Sequence, residues 1–288
     1  SVSGNIGVNR NEISDLGLLP ADFGCLGERV GYYGNSLGDH FGVGHIFLAG
    51  EAPGLFYGYV TQGIVQKEDI TENGFKYIKQ DGSVGYYQTV NKTTPVAGDV
   101  KYVDRNGDGV VDDNDRDIIG SPNPDFTYGF QTKVSWKSLS LSASFNGVQG
   151  RDILNVGNRY NNTPGTKSNN VTRKAFQNMW TDENPSNLYP KSTFVVQNMV
   201  MDRYVEDGSY LRCSDITLSY ILPAKWTNKI GIKNTSVYAS VKNAFVITDY
   251  SGYDPEVNSF AFDGLRPGVD MNSYPTPRSF VFGLNLTF

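Results

Sequence analysis

The sequence predicts an all-β fold with long strands, of the size that crosses a membrane as part of a barrel. Five segments alternate apolar and polar side chains over roughly 11 to 14 residues each, whereas strands of soluble domains average about five or six. The 288 residues include 18 tyrosines, 16 phenylalanines and 32 glycines, which favour strands and turns. Short and long connections alternate between the segments, as they do in outer-membrane barrels.

The first two alternating segments are 125–137 and 138–149. The first places its apolar residues at even positions, and the second places them at odd positions. Because the two segments abut, we expect a very short hairpin between them. Aromatic residues stand near both ends of the first segment, at Phe126 and Trp136. This placement is typical of the girdles at membrane interfaces.

Three further segments repeat the pattern at 209–222, 235–247 and 278–288. Their lengths are sufficient for a tilted strand to cross a bilayer. The face opposite the apolar residues is polar but mostly uncharged, which suits a water-filled interior better than a dry core. The pattern also leaves open a large soluble β-sandwich or propeller with one wet face.

Strand parity predicts the topology. The connections 150–208 and 248–277 are long, and the one between them is short. If Phe288 lies in the periplasm, residues 11–124 form one long extracellular excursion, and residues 1–8 form the tip of an upward strand. Six strands are too few for a closed barrel, since about eight is the smallest and an open edge in lipid is costly. The chain is therefore predicted to be the tail of a larger barrel.

The acidic loop 104–115 has the oxygen spacing of an EF-hand calcium loop. Ca²⁺ takes about six to eight oxygen ligands, and a glycine at the sixth loop position allows the tight turn. The loop ends in aspartate where the EF-hand rule has glutamate. The same residue types also favour a solvated turn without a metal. The predicted ligands are Asp104, Asn106, Asp108, Val110 through its carbonyl, Asp112 and Asp115.

The surroundings of the acidic loop predict strands rather than the two helices of an EF-hand. Residues 99–103 alternate like a strand, and prolines soon after the loop leave too little chain for a helix. We therefore expect Ca²⁺ to have a structural role, as a clip that stiffens the excursion. Elsewhere in the long connections, residues 55–64 predict a local strand and residues 172–180 a short helix.

Composition and motifs exclude several functions. The net charge of −5 argues against nucleic acid as a partner, which requires a basic face. No apolar run reaches the roughly 18 residues of a membrane-spanning helix. No paired carboxylates or nucleophile–base arrangement stands out, and His40 and His45 do not form a convincing metal pair. The chain is therefore predicted not to be an enzyme. The alternative to a membrane role is a secreted, calcium-stabilised β adhesin or glycan-binding module.

Aromatic residues in the predicted outer loops are candidates for stacking on sugars. Packing of loop against loop is favoured for each of them, so no substrate-binding residue is assigned. The candidates are Tyr57, Tyr59, Tyr86, Tyr87, Tyr160 and Trp180.

Motifs spread over most of the chain resemble the SusC/RagA-type TonB-dependent transporters. The most distinctive is the acidic loop with the stretch that follows it. The matching stretches are 56–59 with 63–64, 98–112 with 114–116, 119–130, 146–153, 205–212, 241–245 and 253–256.

The resemblance implies a barrel of about 22 strands filled by an N-terminal plug, in the outer membrane and in contact with its lipid. It implies a SusD-like surface lipoprotein as a lid, and import of glycans or oligopeptides driven by TonB with ExbB and ExbD. The chain would be the C-terminal part of such a transporter. The remaining N-terminal barrel and plug portion would then be partners of this chain.

Overall fold

The computed structural model describes residues 1–17, 24–26, 29–38, 41–163, 170–192, 199–227, 232 and 234–287. His40 and Phe288 lie outside the described residues. The structure is mostly β, which confirms the all-β prediction. The described helices are short: α1 (Val156–Asn162), α2 (Arg173–Asn178) and α3 (Ala224–Thr227). None of the described helices has the length and apolarity to span a membrane.

The described strands fall into a long class and a short class. Six strands have six to fifteen residues and build one sheet, and the others have two to five residues. In chain order they are β1 (Val2–Gly7), β2 (Gly24–Leu26), β3 (Arg29–Tyr33), β4 (His45–Leu48), β5 (Leu55–Tyr59), β6 (Thr61–Ile64), β7 (Ile70–Thr71), β8 (Gly74–Ile78), β9 (Val84–Tyr87), β10 (Thr89–Val90), β11 (Val100–Tyr102), β12 (Val110–Val111), β13 (Arg116–Gly120), β14 (Phe126–Trp136), β15 (Leu139–Gln149), β16 (Asp152–Asn155), β17 (Val205–Asp207), β18 (Tyr210–Ile221), β19 (Asn234–Thr248), β20 (Val269–Asp270) and β21 (Ser279–Thr287).

The six long strands form an antiparallel sheet in the order β1-β14-β15-β18-β19-β21. Strands β14, β15, β18, β19 and β21 each begin and end within one residue of a segment that alternates in the sequence. The hairpin between β14 and β15 has two turn residues, and the first, Lys137, has a positive φ of 54°. Lys137 also lies over the Trp136 ring, with its ammonium 4.9 Å from the ring centroid.

The strand register separates the side chains of this sheet into an apolar face and a polar face. Residues directly opposite each other on neighbouring strands point to the same face. One apolar row across the sheet is Trp136, Leu139, Tyr220, Val237 and Leu284, and an adjacent polar row is Ser135, Ser140, Ser219, Tyr238 and Gly283.

The apolar face of the sheet is exposed. Trp136 is 68% exposed and Phe282 is 78% exposed. In a β-sandwich this face would be packed against a second sheet about 10 Å away, and the described residues provide no such layer. The sheet therefore does not have the packing of a soluble β-sandwich.

Residues 11–124 supply most of the largest buried core of the described chain, and residues between β15 and β18 together with Val269 complete it. Its sheets are β13-β5-β4-β3-β2, β7-β8-β9, and the pairs β6 with β11 and β10 with β12. The strand predicted over 55–64 is broken at Val60 into β5 and β6, which join different sheets. The Asp202 carboxylate holds the Thr61 amide and hydroxyl at this break, with the hydroxyl at 2.6 Å.

Aromatic rings fill this core. Tyr77, Tyr87 and Tyr102 are each at most 2% exposed. Most of the rings considered for sugar stacking are also packing residues, because Tyr57, Tyr59, Tyr87 and Trp180 are buried.

A three-stranded sheet, β17-β16-β20, lies where the chain leaves β15 and returns to β18. Helix α2 occupies part of the predicted helix 172–180. The Thr172 hydroxyl caps it by accepting a hydrogen bond from the Ala175 amide at 3.1 Å. Ala175 is buried, but Phe176 is 62% exposed. Adjacent helical residues point about 100° apart, so these two residues do not share a face.

Candidate functional site

The polar face of the long sheet is lined by hydroxyl, amide and a few charged groups. The Asp215 carboxylate of β18 accepts hydrogen bonds from the hydroxyls of Thr217 and Ser240, each at 2.7 Å. Ser135 and Ser140 hydroxyls are 2.9 Å apart across the β14–β15 pair. Such a surface is suited to contact with water or a polar solute.

The acidic loop folds around two buried carboxylates. Asp104 accepts hydrogen bonds from the amides of Gly107 at 2.7 Å and Gly109 at 2.9 Å. Asp115 accepts the Arg105 amide at 2.7 Å with one oxygen and the Asp112 amide at 2.8 Å with the other. Asp104 and Asp115 thus hold the two ends of the loop together.

Burial affects the acidity of Asp115, which has no exposed surface. Burial raises the pKa of its carboxyl, and the negative charge of Asp104 acts in the same direction. The hydrogen bonds from the backbone amides oppose this shift without cancelling it. The loop therefore holds Asp115 in a position where an ionised carboxylate is disfavoured.

The other predicted ligands lie at the surface of the loop. Asn106 and Asp108 are exposed, and Asp108 and Asp112 each accept a hydrogen bond at 2.8 Å from the amide two residues ahead. Val110 lies in β12 and pairs with Thr89. The structure therefore brings Asp104 and Asp115 together but not all six residues.

The loop carries oxygen donors of the kind that a hard cation prefers, but among the predicted ligands only Asp104 and Asp115 lie together in its interior. Within the described ranges, no three His, Cys, Asp or Glu side chains are placed to hold a metal ion.

A buried ion cluster joins the long sheet to the segment that follows β19. Arg212, on the polar face of β18, is 5% exposed, and its guanidinium is 2.5 Å from the Asp254 carboxylate. The same guanidinium is 2.7 Å from Glu256, whose carboxylate also accepts the Tyr210 hydroxyl at 2.6 Å. Arg151 donates to the Pro255 carbonyl.

The cluster holds Asp254 as a carboxylate. Burial acts to raise its pKa, but the amides of Glu256 and Thr276 and the charge of Arg212 outweigh it, so the pKa is lowered. Both Arg212 and Asp254 belong to stretches that carry the family resemblance, but no local pattern in the sequence indicates that they pair. The contact spans 42 residues of chain, and only the fold reveals it.

Comparisons with known proteins place the chain among TonB-dependent receptors by sequence. No protein-family model matches the chain. It is 35% identical over 201 residues to TonB-dependent receptor P26 of Formosa agariphila, covering 67% of the chain and 20% of that protein. It is 34% identical over 194 residues to TonB-dependent receptor SusC of Bacteroides thetaiotaomicron, covering 65% and 17%.

Solved structures agree with the sequence comparisons. The whole chain superposes on 26% of a chain in the structure of the RagAB peptide transporter, with a TM-score of 0.66 and 25% identity. The chain spans about a fifth of the length of the curated relatives it matches. These relatives are named as receptors or transporters and not as enzymes, in agreement with the sequence prediction.

Proposed function

We propose that this chain forms part of the wall and outer loops of an outer-membrane importer, because it belongs to the SusC/RagA family of TonB-dependent receptors. The observation that carries the proposal is the six-stranded sheet with one exposed apolar face and one polar face. Lipid would cover the apolar face and the transport lumen would contact the polar one.

The edges and loops of the sheet agree with this role. Within the described residues, β1 and β21 each pair on one side only. An open edge in lipid is costly, so these edges would pair with the remaining N-terminal barrel portion, whose plug would contact TonB-ExbB-ExbD. The Arg212 cluster would keep the segment after β19 folded against the polar side of the wall.

A SusD-like surface lipoprotein is the proposed partner at the outer loops, and glycans or oligopeptides are the proposed cargo. The support is similarity to SusC and to the RagAB peptide transporter. Affinity purification of the full-length protein from outer membranes should recover a lipoprotein at a constant ratio.

Membrane fractionation tests the proposed function. The full-length protein should separate with the outer membrane, migrate differently before and after heating in detergent, and lose uptake of its cargo when TonB is deleted. A secreted adhesin or glycan-binding module would instead remain in solution without detergent. Recovery of the full-length protein in the soluble fraction would refute the proposal.

We also propose that the acidic loop binds Ca²⁺ as a structural ion. The support is the ligand spacing and the convergence of Asp104 and Asp115. The Tyr77 hydroxyl donates to the Asp104 carbonyl at 2.7 Å, so this ring is positioned to sensitise Tb³⁺ luminescence at the site. Asp115→Asn should abolish the signal, whereas Asp81→Asn, at a neighbouring turn, should retain it.

Removing Ca²⁺ with a chelator tests whether the ion stabilises the acidic loop alone or the whole barrel. Removing Ca²⁺ should increase hydrogen exchange in residues 104–115 and leave the heat-modifiable barrel intact. Loss of the folded barrel on chelation would contradict the assigned role, and absence of Tb³⁺ luminescence in the unmodified protein would contradict binding itself.

A further inference from the structure

A cavity rich in asparagine lies between α1, β17 and the segment that follows β19. Its volume is about 520 Å³, within the roughly 300–1,000 Å³ of small-molecule sites. Five of its lining residues are asparagines: Asn155, Asn158, Asn161, Asn162 and Asn272. One face of α1 and its N-cap carries Asn155, Asn158 and Asn162, which are spaced by three and four residues, because a helical turn takes about 3.6 residues.

Glu206 of β17 fixes the orientation of these side chains. Its carboxylate accepts the side-chain amides of Asn155 at 2.9 Å and Asn158 at 2.8 Å. It also accepts the amide and hydroxyl of Ser251, each at 2.9 Å. A carboxylate accepting four hydrogen bonds has little capacity left for a ligand, so Glu206 acts as a positioning residue.

In the cavity wall, Asn158 and Asn162 each donate from the side-chain nitrogen to one neighbour and accept at the side-chain oxygen from the next. Because the Asn158 nitrogen must face the Glu206 carboxylate, its oxygen faces Asn162 and accepts that amide. The Asn162 oxygen in turn accepts the Thr172 hydroxyl at 2.7 Å. The order of donors and acceptors is therefore set by one acceptor-only group.

This arrangement leaves amide donors for a ligand. Within the described part of the chain, one Nδ2 hydrogen of Asn158, one of Asn162 and both of Asn272 have no partner. These groups lie on the cavity wall. The cavity wall thus carries uncharged amide donors, together with the ammonium group of Lys174.

The charged and aromatic groups of the cavity narrow the ligand class. The Asp270 carboxylate accepts the Tyr250 hydroxyl at 2.7 Å and the Ser273 amide at 2.9 Å, and the residue is only 2% exposed. The two wall carboxylates outnumber the one cationic side chain of the wall, Lys174, which disfavours an anionic ligand. The oxygens of both carboxylates are hydrogen-bonded or buried and offer little to a cation. Tyr253 lines the cavity and is 69% exposed, leaving an aromatic face for an apolar ring surface.

We infer that this cavity binds a neutral oligosaccharide. The free amides of Asn158, Asn162 and Asn272 donate to sugar oxygens, and the Tyr253 ring stacks on the C–H face of a sugar. An oligopeptide also carries acceptor carbonyls, but only some of its residues carry a ring, whereas every unit of an oligosaccharide offers a ring face with several oxygens around it. The inference rests on the proposed function, since it assigns the cavity to cargo recognition by the importer.

Binding measurements on the full-length protein in detergent test this inference. The unmodified protein is screened against an array of neutral oligosaccharides and against a casein hydrolysate as the oligopeptide arm. Titration calorimetry with the best-binding sugar then compares variants. Asn158→Ala/Asn162→Ala should weaken binding about 10-fold or more, since it removes two hydrogen-bond donors. Tyr253→Ala should weaken it by a similar factor.

Two matched variants separate recognition from folding. Tyr253→Phe keeps the ring and should bind like the unmodified protein. Asn73→Ala removes an exposed asparagine of the β7–β8 turn, outside the cavity, and should have no effect.

Three outcomes would each overturn the inference. They are binding of the casein hydrolysate alone, no binding to any array sugar, and sugar binding that is unchanged in both alanine variants. Failure of the proposed function would be seen in the membrane fractionation instead. The full-length protein would then be absent from the outer-membrane fraction, whether or not it binds a sugar.

Discussion

Asp115 shows how one buried residue links the acidic loop to pH. Its carboxylate accepts amides from both ends of the loop, while burial and Asp104 raise its pKa. A raised carboxyl pKa means that the ion-free loop is most stable below the pKa of the unfolded chain. That stability is lost as pH rises through the folded pKa. A cation at the loop would offset this loss by stabilising the ionised form.

Binding of Tb³⁺ or Ca²⁺ should therefore release a proton and weaken in acid. We expect the affinity to fall as pH is lowered from about 7 to about 4, with the decline beginning above the ordinary aspartate range. Tb³⁺ luminescence titrations at stepped pH measure this. An affinity independent of pH over this interval would show that Asp115 is not a ligand.

At the scale of the element, the long strands were predictable and the short ones were not. Strict alternation over a whole strand reports which face is apolar, and β14 and β15 follow it from end to end. The break at Val60 was not visible, because Asp202, far along the chain, fixes it through Thr61. The residues around Val60 therefore give no indication of this long-range contact.

The two faces of β15 should differ in their tolerance of charge. Ala143→Arg introduces a guanidinium on the apolar face, where arginine near the bilayer midplane costs about 2–4 kcal/mol. Ser142→Arg places the same group on the polar face, one residue away. The first variant should reduce the amount of heat-modifiable barrel in outer membranes, and the second should assemble normally. Equal assembly of the two would contradict the assignment of faces.

The ion cluster should anchor the segment after β19. Arg212→Ala leaves the Asp254 carboxylate buried without its cation, a change that typically costs about 3–5 kcal/mol. We expect faster proteolysis and hydrogen exchange in residues 249–278, with the barrel still assembled. Arg29→Ala breaks an exposed pair with Glu51, typically worth about 0–1 kcal/mol, and serves as the control. Unchanged protection of residues 249–278 in Arg212→Ala would show that the cluster is not the anchor.

At the scale of the whole molecule, the buried core and the sheet with membrane-type strands are separate. Most of the largest core lies in the region between β1 and β14, where Tyr77, Tyr87 and Tyr102 pack. The sequence indicated a long excursion there but not its internal sheets, whose strands are too short to show periodicity. The Asn-rich cavity was also missed, because Asn158, Glu206 and Asn272 meet only in the folded chain.

Contact of one face of the long sheet with lipid, and of the other with water, is the arrangement on which the proposed function depends. Spin labels placed singly along β15 of the full-length protein in outer membranes, with Cys25 and Cys213 replaced by alanine, measure it most directly. Labels at Leu141, Ala143 and Phe145 should be relaxed by oxygen dissolved in lipid, and labels at Ser140, Ser142 and Ser144 by a water-soluble nickel complex. The two sets of labels should thus alternate with a period of two along β15. Uniform exposure of all six positions to the nickel complex would contradict it.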